Sequence, residues 1–157
     1  MEFELQTGTF ESTLDEKGRV VIPASLRERN QRELVITQGR SFNLWLMTID
    51  AFKDYRKFIE DSMPKLSFDE YDAIQRQHIV PAQVVEVDEK SGRISIPAAL
   101  RSYARLSKDC TILSITGFLE IWNTDAHRTH LLENMTKSYD ASKKLGPFRH
   151  VPKEGQS

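Results

Sequence analysis

Cysteine is nearly absent from this chain: Cys110 is the only one among 157 residues, so no intrachain disulfide can form. It falls in the apolar run Cys110-Thr111-Ile112-Leu113, the setting of a buried structural thiol, and such a thiol suits a reducing cytosol. Long hydrophobic runs are missing too. None approaches the ~18 residues that a membrane span requires. Met1-Glu2-Phe3-Glu4-Leu5-Gln6 offers no basic region ahead of an apolar core, so neither a signal peptide nor a membrane-inserted helix is expected. There is no Gly-rich phosphate loop ending in Lys-Ser or Lys-Thr, no G-x-S-x-G elbow and no H-E-x-x-H helix, which argues against an enzyme. The neighbouring carboxylates Asp15 and Glu16, and Asp88 and Glu89, lie in charged turns, where solvation and turn formation account for them. Asp125, His127 and His130 come close together, but no cysteine joins them and no fourth ligand is suggested, so no metal or other cofactor is expected.

An excess of either charge is also lacking. Twenty-two Lys and Arg meet 23 Asp and Glu for a net charge of −1, which taken alone argues against a nucleic-acid partner. Distribution reverses that reading. Between Lys17 and Arg40 stand Lys17, Arg19, Arg27, Arg29, Arg32 and Arg40 against only Glu28 and Glu33. Between Asp88 and Lys108 stand Lys90, Arg93, Arg101, Arg105 and Lys108 against Asp88 and Glu89. The intervening stretch 50–72 is acidic, with Asp50, Asp54, Glu60, Asp61, Asp69, Glu70 and Asp72 outnumbering Lys53, Arg56, Lys57 and Lys65. Two cationic regions separated by an acidic one are what an anionic ligand on one face would require. The 39% apolar and 29% charged composition is that of a soluble globular chain, long enough for one domain or two small interlocked halves.

What the chain does have is a repeat. Leu14-Asp15-Glu16-Lys17-Gly18-Arg19-Val20-Val21-Ile22-Pro23-Ala24-Ser25-Leu26-Arg27 returns as Val87-Asp88-Glu89-Lys90-Ser91-Gly92-Arg93-Ile94-Ser95-Ile96-Pro97-Ala98-Ala99-Leu100-Arg101. Each copy reads as strand, charged turn, strand and helix start, with Pro23 or Pro97 at the first helical position. In each turn, Gly18 or Gly92 permits a left-handed backbone and Asp15 or Asp88 can accept turn N–H groups. Arg19 or Arg93 is left to point outward or to pair with the Asp.

Other elements follow from pattern. Strands are expected at 9–14, 20–22, 34–37, 44–47, 84–87, 94–96, 111–115 and 119–122, and Trp45 is read as a core aromatic. Thr48 is positioned to cap a helix whose Ile49, Phe52, Tyr55, Phe58, Ile59 and Met63 form a stripe assigned to packing, with Pro64 ending it. Ser67 caps a second, shorter helix. A short helix of about two turns is expected after Pro23, its counterpart after Pro97, and a last helix after Asn123, Thr124 or Asp125. From Lys143 onward no period survives, and a mobile tail is expected whose Lys143, Lys144, Arg149 and Lys153 add non-specific phosphate contacts.

The doubled turn, together with Leu34-Val35-Ile36-Thr37, Leu44-Trp45-Leu46, Leu106-Ser107-Lys108 and Leu119-Glu120-Ile121-Trp122, resembles the MraZ family of bacterial transcriptional regulators. The two halves of that family each look like a SpoVT/AbrB DNA-binding module carrying Asp-x-x-x-Arg. The resemblance runs from about Thr7 to about His127. The first copy matches as Asp15-x-x-x-Arg19. The second holds an extra residue, so that Asp88 stands five before Arg93 and Glu89 takes the four-before place.

The resemblance implies an α+β fold of two tandem modules, 7–54 and 83–126, closing about a pseudo-twofold axis as a double-split, swapped-hairpin barrel with peripheral helices. Residues 55–82 would form a helical bridge, 127–142 a C-terminal helix and 143–157 the tail. It implies that Lys17, Arg19, Lys90 and Arg93 contact double-stranded DNA while Asp15, Gly18, Asp88, Glu89 and Gly92 shape the loops. It further implies a homo-oligomeric ring acting, as a repressor, on direct repeats upstream of a division and cell-wall operon. The protein would then be cytoplasmic and nucleoid-associated, with no small-molecule substrate. The competing expectation is a ring-forming assembly module whose basic loops are merely solvated.

Overall fold

The computed structural model describes residues 8–24, 32–115 and 117–155. The short helix expected after Pro23 falls mostly outside them. The strand entering each charged turn does not pair within its own half. β1 (Gly8–Thr13) lies antiparallel on β7 (Asp109–Ile115), and β5 (Gln83–Glu86) lies antiparallel on β3 (Glu33–Gln38). β3 forms a hairpin with β4 (Leu44–Thr48), β7 forms one with β8 (Phe118–Asn123), and β4 pairs with β8 at the centre. The resulting sheet has the order β1-β7-β8-β4-β3-β5. Exchanging the first half for the second only reverses that order, so the repeat read in the sequence is a twofold relation in the strand pairing.

The axis of that relation runs through a second, two-stranded ribbon. β2 (Arg19–Val21) and β6 (Arg93–Ser95) pair antiparallel, with Val20 opposite Ile94, Arg19 opposite Ser95 and Val21 opposite Arg93. The surrounding backbone bonds come in matched couples. Leu14 N–H donates to Lys108 O and Val87 N–H to Arg32 O, each at 2.8 Å; Ile22 N–H donates to Gly92 O and Ile96 N–H to Gly18 O, each at 2.9 Å. Among the described residues the sheet is not closed into a barrel, which corrects that part of the expectation: β1 and β5 remain its edges. The three-residue strands β2 and β6 pair with each other across the axis and leave those edges unlinked.

Alternation of side chains decides the layers. Val20, Ile22, Leu34, Ile36, Leu44, Leu46, Val85, Val87, Ile94, Ile96, Leu100, Ile112 and Ile121 meet in one buried core between sheet and ribbon. Both halves contribute to it. The opposite face of β3 and β4 buries Val35, Trp45 and Met47 beneath α1 (Ile49–Asp61), so these strands are covered on both sides and read as nearly continuous apolar runs. Trp45 stacks on His78 with ring centroids 4.5 Å apart and meets Tyr55 edge-on.

Caps follow the local chemistry. Thr48 Oγ1 accepts from Ala51 N–H, and Ser67 with Glu70 forms a reciprocal capping box at α2 (Phe68–Ile74). The Glu70 carboxyl is held below its usual range by the Ser67 backbone N–H. Ile49, Phe52, Tyr55 and Ile59 pack as the stripe suggests, but Phe58 and Met63 do not: they are 61% and 46% exposed. Pro97 sits one residue ahead of α3 (Ala98–Tyr103) rather than at its first position.

The chain divides into two compact units, Met1–Thr124 and Asp125–Ser157. The second is chiefly α4, which starts at Thr124 and continues to Leu145. Lys143 and Lys144, expected in a tail, therefore form the last helical turn, where cations suit the helix dipole, and Gly146 with φ 71° follows.

Candidate nucleic-acid interface

The first turn is organised by one carboxylate. Asp15 Oδ1 accepts from the backbone N–H groups of Lys17 (2.9 Å) and Arg19 (2.8 Å), while Oδ2 accepts from Arg19 Nε at 2.8 Å. The Arg19 backbone N–H first, with help from its guanidinium, holds the Asp15 carboxyl below its usual range. Gly18 has φ 78°, and a Cβ there would run into Arg101 Nη1. That guanidinium donates to Ile96 O at 2.9 Å, so an arginine of the second repeat is wedged beneath the turn of the first. Gly18 is thus required for its left-handed backbone, and a side chain there would also have to displace the Arg101 guanidinium.

The second turn keeps the backbone plan and changes the side-chain plan. Asp88 N–H donates to Arg93 O at 2.9 Å, as Asp15 N–H does to Arg19 O, and Gly92 has φ 68°. The extra residue, Ser91, takes the carboxylate: Asp88 Oδ2 accepts from both Ser91 N (2.8 Å) and Ser91 Oγ (2.5 Å). Ser91 Oγ in turn accepts from the Arg93 backbone N–H at 3.3 Å. The Ser91 hydroxyl is the leading cause of a lowered Asp88 pKa, followed by its backbone N–H. Glu89, at the four-before place, pairs with Arg32 rather than with Arg93. Among the described residues no carboxylate or carbonyl engages the Arg93 guanidinium.

Between the turns, the register of the ribbon fixes the geometry. Val20 and Ile94 point into the core, at 0% and 1% exposure, so Arg19, Val21, Arg93 and Ser95 project to the other side. Arg19 and Arg93 are then diagonal neighbours, a relation that sets cross-strand residues ~7–8 Å apart. Arg19 is near enough to the second turn to add to the lowering of the Asp88 pKa. Lys17 and Lys90 are exposed at the turn tips. The groove beside the ribbon is lined by Arg19, Arg32, Lys90 and Arg93, but also by Glu33, Glu86, Asp88 and Glu89, so its formal charge is balanced.

Of the nine residues singled out from sequence, Asp15, Lys17, Gly18, Arg19, Asp88, Lys90, Gly92 and Arg93 gather at the ribbon and its turns, while the carboxylate of Glu89 is drawn away to Arg32. Sequence reasoning missed Arg101, which packs against Gly18 of the first turn, and Ser91, which engages Asp88 in the second. Arg27 and Arg101 recurring at matched places was the available signal for the first, and the inserted residue itself was the signal for the second.

Elsewhere the chemistry is quiet. Cys110 is buried, and that burial, aided by Asp109, pushes its thiol up to about 11, far from a thiolate at neutral pH. Asp125 pairs with Arg128 at 3.2 Å, and His130 lies beside Asn134. Among the described residues no three His, Cys, Asp or Glu gather as a metal site, and no helix is long and apolar enough to cross a membrane.

Comparison with known proteins agrees with this duplicated architecture. A family model described as "MraZ protein, putative antitoxin-like" matches twice in tandem, over residues 5–73 and 79–144. A protein of Treponema denticola named transcriptional regulator MraZ is 41% identical over 143 residues, covering 89% of this chain and 96% of that one. Proteins of the same name from two strains of Treponema pallidum are 37% identical over 135 residues, covering 85% of this chain and 89% of theirs. That name is a regulator's and not an enzyme's. With both halves matched and the relatives covered nearly end to end, the chain belongs to the MraZ family.

Proposed function

We propose that this chain is a sequence-specific DNA-binding transcriptional regulator, cytoplasmic and nucleoid-associated, that represses by binding direct repeats upstream of a division and cell-wall operon. Arg19 and Arg93 enter the major groove on the β2–β6 ribbon, with Lys17 and Lys90 flanking them. The observation that carries this reading is the common face of that ribbon: two arginines from sequence-distant turns stand diagonally on one side, and the buried Val20–Ile94 pair anchors the other. A two-stranded ribbon fits the major groove, and Arg pairs with guanine O6 and N7 there.

One ribbon is small for the task. At ~1–3 kcal/mol per bidentate contact it falls short of the ~4–10 kcal/mol that separates specific from non-specific binding. Several protomers in a closed ring, each presenting its ribbon in the same sense, supply the rest, matching direct repeats about one helical turn apart. The test is a set of duplexes carrying one repeat, or two repeats at whole-turn and half-turn spacing, titrated at fixed salt. Tighter binding to two in-phase repeats is expected. Equal affinity for single and double sites would contradict it.

A second reading, an assembly module without DNA specificity, is favoured by one observation: the four acidic residues lining the groove balance its four cations. A protein of that kind would show no DNA affinity that falls with rising salt, whereas a phosphate-reading one must.

A further inference from the structure

We propose that the two turns divide the recognition of DNA between them, Arg19 reading base edges and Arg93 holding phosphate, and that Ser91 is the positioning residue that sets this division. The proposal rests on the DNA-binding reading above and adds a role to each half of the ribbon.

The Arg19 side chain is committed before DNA arrives. Its Nε is spent on Asp15 Oδ2, and both oxygens of that carboxylate are occupied. What remains is the end-on pair of Nη groups at the tip of a guanidinium whose orientation is already fixed. Paired hydrogen bonds to guanine demand a planar fork in one orientation, and fixing it in the free protein removes the ordering cost from the binding step. The same pairing makes Arg19 a poor phosphate clamp, because the adjacent carboxylate partly offsets its charge.

Arg93 has the opposite preparation. Ser91 engages Asp88 Oδ2 through both its backbone N–H and its hydroxyl, and the hydroxyl also takes the Arg93 N–H that, in the first turn, goes to the carboxylate itself. The guanidinium keeps its charge and its rotamers. Such a side chain suits a contact that needs charge and reach but no single orientation, which describes a phosphate oxygen. The two residues root ~7–8 Å apart on the ribbon, inside a major groove ~12 Å wide. One can therefore meet the floor of the groove while the other meets its wall.

The experiment uses the full chain, a duplex of the region upstream of its own coding sequence, and a scrambled duplex of equal length and composition. Affinity is read by fluorescence anisotropy over a series of salt concentrations. Lysine preserves charge and loses the fork, so Arg19→Lys is expected to weaken binding to the upstream duplex by ~tenfold or more and to leave the scrambled duplex unchanged. Arg93→Lys is expected to bind both duplexes like the wild type. Arg93→Ala should weaken both equally and reduce the slope of log affinity against log salt by ~1. Deleting Ser91 restores the four-residue spacing, lets Asp88 take Arg93 as Asp15 takes Arg19, and should lower scrambled-duplex affinity as Arg93→Ala does. Should that deletion fail to fold by circular dichroism, the two lysine variants still decide the matter. Equal losses of upstream-duplex affinity for Arg19→Lys and Arg93→Lys would overturn the division while leaving DNA reading intact. A wild-type protein that binds neither duplex, or binds both alike, would overturn the DNA-binding reading and this proposal with it.

Discussion

The two charged turns are copies of one another that differ by a single inserted residue, and their comparison separates what a fold repeats from what it specialises. Both begin with an Asp whose backbone N–H reaches the Arg carbonyl, both use a left-handed Gly, and both feed a ribbon strand across the same axis. In the first, the Asp side chain grips the Arg side chain. In the second, Ser91 occupies the Asp, and the Arg is left without a carboxylate. Backbone geometry has thus survived an insertion that redirected the side chains. The twofold plan belongs to the main chain, and the chemistry offered to a ligand is not twofold.

The shared support is the place where the largest effect is expected. Ile94 is buried on the axis opposite Val20, so Ile94→Ala leaves a cavity under both turns at once and should cost ~2–5 kcal/mol, measured by urea denaturation. A loss confined to well below 1 kcal/mol would mean the turns do not depend on a common core.

Gly18→Ala sharpens the contrast by striking one turn only. It combines a left-handed backbone with a Cβ driven into Arg101 Nη1, and should cost ~1–3 kcal/mol. Arg101→Ala alongside it removes the steric part of that cost, so the double variant should be less destabilised than the sum of the two singles. Strict additivity would show that Arg101 is not what excludes a side chain at Gly18.

The smallest effect is electrostatic. Ser91→Ala changes an exposed turn and should alter stability by no more than ~0.5 kcal/mol. Yet it removes the leading cause of the depressed Asp88 pKa, which should rise toward the ordinary carboxylate value while Asp15 does not move. Arg19→Ala, by contrast, keeps the backbone N–H that leads the lowering at Asp15, so most of that lowering should persist. Carboxyl carbon titration by NMR reads both. An Asp88 indifferent to Ser91→Ala would put the second turn's organisation elsewhere.

Much of this was legible in the sequence because it is local. Each charged turn, the strands, the Thr48 and Ser67 caps and the left-handed Gly18 and Gly92 follow from residues within a few positions of one another. What was not legible depends on partners far along the chain. Nothing near Phe10 says that it will lie opposite Ile112, and nothing near Gly18 says that Arg101 will pack against it. Helical spacing put Phe58 on a stripe, but spacing cannot say how far the surface beneath a helix extends, and Phe58 stands beyond its edge. Of the expected double-split barrel, the α+β class is seen but closure among the described residues is not, since closure depends on which edge a three-residue strand chooses. Among the candidate site residues, types and places could be read, but not the pairing of Glu89 with Arg32 or of Asp88 with Ser91.

That two unequal turns on one ribbon form a single DNA-facing surface is tested most directly by hydrogen exchange of the full chain with and without the upstream duplex. Peptides covering 14–22 and 87–96 are expected to gain protection together, while those covering α1 at 49–61, on the other side of the sheet, stay unchanged. Protection appearing at α1, or in only one of the two turns, would contradict it.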